Sequence, residues 1–232
     1  EFFDLDKDAY GLVPVHCDVF AGFVFVNLDA EPRWSLREYL GPMVTGIEGY
    51  PFDRMTERFV VRAEVGSNWK LFMDAFQEFY HAPILHSRQT PAAFSIPAAE
   101  NGFHAPYYAI DGPHGVVSTA GIRPWNLPEA MLKPMERATR SGLFGQWDVP
   151  DLGPLPAGVN PGNCDPWGLD SFQIWPNFVI LIWGQGWYLT YHYWPTSHRS
   201  HTFESTLYFV PSQNARERIA HEMAACSMKE YA

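Results

Sequence analysis

The sequence predicts an α+β fold in which helices pack against a curved antiparallel sheet. Two observations carry this. Four β-branched and aromatic runs follow one another in the C-terminal third, "DSFQIWPN", "FVILIWG", "WYLTYHYWPT" and "HTFESTLYFVP", separated by the short breaks "GQG" and "TSHRS", which is the pattern of an antiparallel meander. Two stretches of helical periodicity, "NWKLFMDAFQEFY" and "SQNARERIAHEMAACSMKEYA", supply the apolar faces that such a sheet would bury.

Taken in order, "VFAGFVFVNLD" reads as a strand near the N-terminus and as a border with something that precedes it. "SLREYLGPMVTGI" reads as a short helix ended near Gly41-Pro42, and "MTERFVVRAEVGS" alternates as a strand of the main sheet. Asn68 then caps a helix expected from Trp69 to Tyr80. From Ser87 to Gly168 the chain holds more than half of its 20 prolines and 18 glycines. Regular structure is expected to be sparse there. So long an irregular stretch in a compact domain is uncommon unless it serves a site, and its aromatic content (Phe94, Phe103, Tyr107, Tyr108, Trp125, Phe144, Trp147) argues for a cover over a pocket. After the meander, Ala215, Ile219, Met223 and Cys226 form one face of a last helix behind a Ser212 cap.

Composition narrows the function classes. The 232 residues are 47% hydrophobic and 18% charged, enough for a substantial core, and the net charge is −10. With no run of Lys or Arg, a nucleic acid is excluded as partner. No apolar run reaches the roughly 20 residues of a membrane-spanning helix, which predicts a soluble protein. Cys17, Cys164 and Cys226 stand far apart, which excludes a disulfide framework and a thiolate metal site and fits a reducing cytoplasm. The chain begins "EFFDLDKDAYGLVP" and stops inside a helical pattern, so a fragment of a longer polypeptide is expected.

The chemistry-bearing stretch is "NWKLFMDAFQEFYHAPILH", Asn68 to His86. At about 100° per residue, Asp74, Glu78 and His81 fall along one stripe, whereas His86, five residues beyond His81, points about 140° away on an unbroken helix. Pro83 breaks the helix between the histidines and frees His86 to swing towards His81. Two imidazoles and a carboxylate on one face of an ion, with other positions open, suit ferrous iron that binds dioxygen. Zinc uses similar ligands, so the residue types leave the metal open. Carboxylates on the helix would accept the histidines' other N–H and orient them.

The run "NWK", then Asp74, then Glu78 in "EFYH" and a second histidine five residues on, together with "QIWPNFVIL" and the aromatic meander, resembles the catalytic domain of Rieske non-haem iron oxygenases, the large (alpha) subunits of aromatic ring-hydroxylating enzymes. The resemblance implies His81 and His86 as iron ligands, with a third carboxylate ligand beyond Ala232. It makes Glu78 the carboxylate that carries electrons towards the iron and Asp74 its support. Phe79, Ala82, Leu85 and Trp175 are the candidate substrate contacts. It implies a helix-grip fold of the Bet v 1/START type. Residues 1–35 become a remnant bordering an N-terminal domain with a Rieske 2Fe-2S cluster, and residues 36–232 the mononuclear iron domain, of which 87–168 is the cover. The implied activity is hydroxylation of a small apolar or aromatic substrate with dioxygen, with electrons from NAD(P)H through a reductase and a ferredoxin. The implied assembly is a homotrimer or an α3β3 complex. Ala75 stands where many relatives carry asparagine, and no CxH or CxxH pair for the cluster occurs in the chain.

Other residues read more plainly. "TSHRS" is expected to be an exposed turn, which leaves His192, His198 and His201 without a shared metal. His104 and His114 fall in the cover, where histidines are usually solvated. Cys164 has no base beside it in sequence. The contrasting function is a non-catalytic hydrophobic ligand-binding module of the same shape, and a zinc hydrolase with Glu78 as base ranks behind both.

Overall fold

The structure, a computed structural model, describes residues 4, 6, 10–85, 104–120, 134, 138 and 148–231. Its N-terminal element is a hairpin, β1 (His16–Phe20) and β2 (Phe23–Asn27). The single strand expected here is two because Ala21 and Gly22 both take positive φ, 51° and 87°, the geometry of a tight two-residue turn.

Helix α1 (Leu36–Thr45) opens with a capping box, the Ser35 hydroxyl accepting from the Glu38 amide while the Glu38 carboxylate accepts from the Ser35 amide. The predicted end at Gly41-Pro42 is a kink instead, with Gly41 at φ 67°. The chain resumes helix because Pro42 needs no donor in a first turn and the Asp111 carboxylate accepts the Met43 N–H at 3.3 Å. The positive φ favours glycine, and a Cβ on Gly41 would stand 2.5 Å from that carboxylate and displace it.

Strand β3 (Glu57–Val65), helix α2 (Trp69–Glu78) and the short α3 (Ala82–Leu85) follow. Next come β4 (His104–Asp111), β5 (His114–Ala120), β6 (Trp167–Ile174), β7 (Phe178–Trp183), β8 (Trp187–Ser197), β9 (Ser200–Phe209) and helix α4 (Ala215–Tyr231). Among the described residues, one seven-stranded sheet runs β3-β9-β8-β7-β6-β5-β4, antiparallel throughout. The four-run meander is β6 to β9, as expected. It is longer than expected, since β4 and β5 come from the stretch in which regular structure was to be sparse. Pro106 is tolerated there because it falls at a register irregularity between His104 and Tyr107, where no ladder donor is needed.

Both faces of the sheet's central strands are buried. On one, α2 and α4 cover Leu169, Val179, Leu181, Leu189, Tyr191, Phe203 and Leu207. On the other, α1 and the β1–β2 hairpin cover Val116, Phe172, Ile174, Phe178, Ile180 and Ile182. This is why "FVILIW" in β7 is a continuous apolar run, buried at every position.

Helix α4 corrects two expectations. Its cap is Asn214, whose side chain accepts the Glu217 N–H at 3.0 Å, while the Ser212 amide donates to Glu57 at 2.7 Å. Its buried face is Ala220, His221, Ala224, Ala225 and Met228, and Ile219 and Cys226 of the predicted stripe are exposed. The small alanines admit close approach to the sheet, and His221 stacks on Phe209 at 4.3 Å. These contacts set the helix rotation.

Candidate functional site

Helix α2 is placed by its first turn and its underside. The Asn68 side chain accepts from the Lys70 amide and donates to the His198 carbonyl, both at 3.0 Å. Trp69 packs on Trp175 at 5.3 Å, and the Lys70 ammonium lies over both rings. Met73 is fully buried and Phe72 and Phe76 pack beside it, while Lys70, Leu71 and Asp74 face outward.

The helix ends at Glu78, earlier than the predicted Tyr80. Phe79 takes a left-handed conformation, φ 50°, at a cost of about 1–2 kcal/mol for a residue with a Cβ, and its ring packs against the core under α2. The break therefore precedes Pro83, which lies in the first turn of α3. His81 directly precedes α3, its carbonyl accepting from Ile84 and Leu85 at 3.0 and 2.8 Å.

This reversal turns His81 back onto Glu78. One carboxylate oxygen meets the His81 Nδ1, and the other accepts the His81 backbone N–H at 3.1 Å. Both side chains are about three-quarters buried, with 24% and 23% of their surface exposed. An imidazole whose Nδ1–H is held by a carboxylate has a fixed tautomer and presents Nε2 as a metal-ligating nitrogen, so the donor that this structure describes fits a metal site. Above the pair, the Tyr108 hydroxyl donates to the Glu78 carbonyl at 3.2 Å. Partial burial and then the Glu78 charge push its phenol pKa up.

The other candidates divide. Asp74 shares the outward stripe but is exposed, and the contact to His81 comes from Glu78, one turn on. Phe79 lies inside, whereas Leu85 and Tyr80 are exposed. Trp175 sits beside Trp69 at the opposite end of α2, about 15 Å of helix away from the Glu78–His81 pair. Ala82 begins α3, and His86 lies outside the described residues. Among the described residues no three His, Cys, Asp or Glu side chains gather as a metal site.

The plainer histidines are less plain than expected. His201 is fully buried, its Nδ1–H donating to the Ser67 carbonyl at 2.9 Å. His114 is buried as well. Its Nδ1 accepts the Trp175 N–H at 3.1 Å and its Nε2–H donates to the Tyr39 carbonyl at 2.8 Å, while the Tyr39 hydroxyl donates to the Trp175 carbonyl at 2.9 Å. This closed circuit ties α1 to the β6–β7 turn, and burial lowers the His114 pKa. Cys164 is buried and its thiol pKa raised by that burial, against a nucleophilic role. A cleft of about 830 Å³ between the hairpin and the sheet is lined by Phe25, Trp34, Trp175, Phe178, His192 and Trp194. It opens on the sheet face away from the Glu78–His81 pair.

Residues 52–230 match the family of the ring hydroxylating alpha subunit, catalytic domain. The chain belongs to this family. Among curated relatives, the chain is 32% identical over 114 residues to the anthranilate 1,2-dioxygenase large subunit of Burkholderia cepacia, covering 44% of this chain and 26% of that protein. It is 33% identical over 86 residues to the carnitine monooxygenase oxygenase subunit of Escherichia coli (strain K12), covering 36% and 22%. The family thus includes dioxygenases and monooxygenases. In fold, the domain resembles naphthalene 1,2-dioxygenase with indole bound in the active site (TM-score 0.61, 16% identity, 98% of this chain and 50% of that one). It also resembles a quaternary ammonium Rieske monooxygenase in complex with L-carnitine (TM-score 0.56, 14% identity, 99% and 49%). The chain spans about a quarter of the curated relatives' length and about half of the solved chains'. No described helix is long and apolar enough to cross a membrane.

Proposed function

We propose that this domain is the catalytic part of a Rieske-type oxygenase that holds a mononuclear ferrous iron through His81 and His86, with a third carboxylate ligand beyond Ala232. The observation that carries the reading is the double grip of Glu78 on His81. It fixes the imidazole's tautomer and its place at once, which a ligand of a reactive metal needs and a surface histidine does not. Iron bound there would supply dioxygen activation. Glu78, on the same stripe of α2 as the exposed Asp74 and itself about three-quarters buried, is the group we place between the iron and a Rieske 2Fe-2S cluster carried by a preceding domain that residues 1–35 border. Phe79 and Ala82 are proposed to face a small substrate.

The proposed substrate is apolar or aromatic. The names of the relatives, anthranilate and carnitine enzymes, keep polar and quaternary ammonium substrates in view. Electrons would come from NAD(P)H through a reductase and a ferredoxin, in a cytoplasmic homotrimer or α3β3 assembly. Our reading of the layers is the helix-grip class, with α2 and α4 lying across one face of the sheet. The test is metal analysis of the full-length protein: His81→Ala and His86→Ala are expected to lose the mononuclear iron and keep the fold. A full equivalent of that iron with normal turnover in either variant would refute the assignment.

A further inference from the structure

The end of α2 lands on a single row of the sheet. The register places Tyr108, Val117, Ser171, Leu181, Leu189, Leu207 and Phe59 side by side across β4, β5, β6, β7, β8, β9 and β3. The row is apolar except for two hydroxyls. A serine with no exposed surface in an apolar row must find partners, since an unmatched buried hydroxyl is unfavourable. Ser171 finds both in α2: its hydroxyl donates to the Phe76 carbonyl at 3.0 Å and accepts from the Gln77 side-chain amide at 2.8 Å. At the row's edge, the Tyr108 hydroxyl reaches the Glu78 carbonyl at 3.2 Å.

These carbonyls belong to the last turn of α2, whose final four C=O groups have no partner within the helix. A glycine usually makes the left-handed stop that satisfies such groups. Here the stop is Phe79: the Tyr80 N–H donates to the Glu78 carbonyl at 2.7 Å, and the sheet supplies the further partners, from residues about 30 and 95 positions away in sequence. Glu78 is the final helical residue and its carboxylate holds His81, so whatever anchors this turn also sets where the imidazole stands.

We propose that Ser171, assisted by Tyr108, is a positioning residue for the Glu78–His81 pair, acting through the backbone of the last turn of α2 with no contact to the metal. The inference rests on the reading of His81 as a metal ligand. Loss of the Ser171 hydroxyl removes the partner of the Phe76 carbonyl and of the Gln77 side-chain amide, and the turn relaxes away from the sheet, carrying Glu78 with it.

The experiment is a Co(II) titration of the mononuclear site in the iron-free, full-length protein, followed by the visible Co(II) spectrum. Ser171→Thr and Ser171→Val differ mainly in the hydroxyl. Ser171→Val is expected to bind Co(II) about tenfold more weakly with a shifted spectrum, the size typical for partners behind a metal ligand, and Ser171→Thr is expected to restore both. Tyr108→Phe, at a half-exposed position that does not threaten folding, is expected to show a smaller loss in the same direction. A role confined to stability would lower the melting temperature of Ser171→Val and leave affinity and spectrum unchanged, and that result overturns the proposal, as does a wild-type titration by Tyr108→Phe should Ser171→Val not fold. His81→Ala is the reference: if it binds Co(II) like the wild type, the ligand assignment itself falls and the positioning role falls with it.

Discussion

Asp170 should make this domain's stability depend on pH in the direction opposite to an ordinary ion-paired carboxylate. It has no exposed surface. Its carboxylate accepts the Asn160 N–H at 2.6 Å and the Trp167 indole N–H at 3.1 Å, and the Ser118 hydroxyl is beside it. These donors favour the charged form, but burial outweighs them and pushes the pKa from 3.8 to about 6. At about 1.4 kcal/mol per pH unit, the rise corresponds to about 3 kcal/mol. The folded chain keeps this proton up to about pH 6, whereas the unfolded chain releases it near pH 4. Over that interval the folded state binds more protons, so the contribution is fully present below about pH 4 and lost as pH rises through about 6. Asp170→Asn removes the titration, and the remaining carboxylates act alike in both proteins. In urea unfolding, the stability of the wild type relative to Asp170→Asn should therefore fall by about 3 kcal/mol between about pH 4 and pH 7. A difference that stays flat across this range would refute the reasoning, showing that the surrounding polar groups cancel the burial.

His114 should act in the reverse sense. Its buried ring accepts from Trp175 at Nδ1, so protonation breaks the circuit with Tyr39. With its pKa lowered, the wild type should lose stability relative to His114→Leu as pH falls below about 6.5, where the unfolded chain takes up the proton first. Gly158→Ala should cost about 1–3 kcal/mol by thermal unfolding, because its Cβ would stand 2.3 Å from the Gly46 carbonyl carbon, whereas Gly66→Ala, with open space around it, should stay within about 0.5 kcal/mol. Glu78→Gln keeps the shape of the contact to His81 and removes its charge. The full-length variant should bind the mononuclear metal about tenfold more weakly and stall in product formation with its cluster still reducible, measured by metal analysis and single-turnover assay.

The sequence by itself determined the features that depend on local chemistry. The alternation and turn residues of β6 to β9 are read within each run. The Asn68 cap, the outward stripe of Asp74 and Glu78, and the spacing of Glu78 and His81 all follow from helical geometry over a few residues, and the motif around them was enough to find the family. Tertiary structure decided what depends on distant partners. The stop at Phe79 is unfavourable by itself, since a residue with a Cβ resists positive φ, and it exists because β6 and β4 hold the turn before it. The strands β4 and β5 were hidden by proline and glycine content that a bulge and a turn absorb. The face that α4 buries was set by alanines that permit close approach and by the stacking of His221 on Phe209, where hydrophobicity alone favoured Ile219 and Cys226. Ser171 looked like any strand serine, because its role is visible only once the end of α2 lies over it, and the sequence places the two about 95 residues apart.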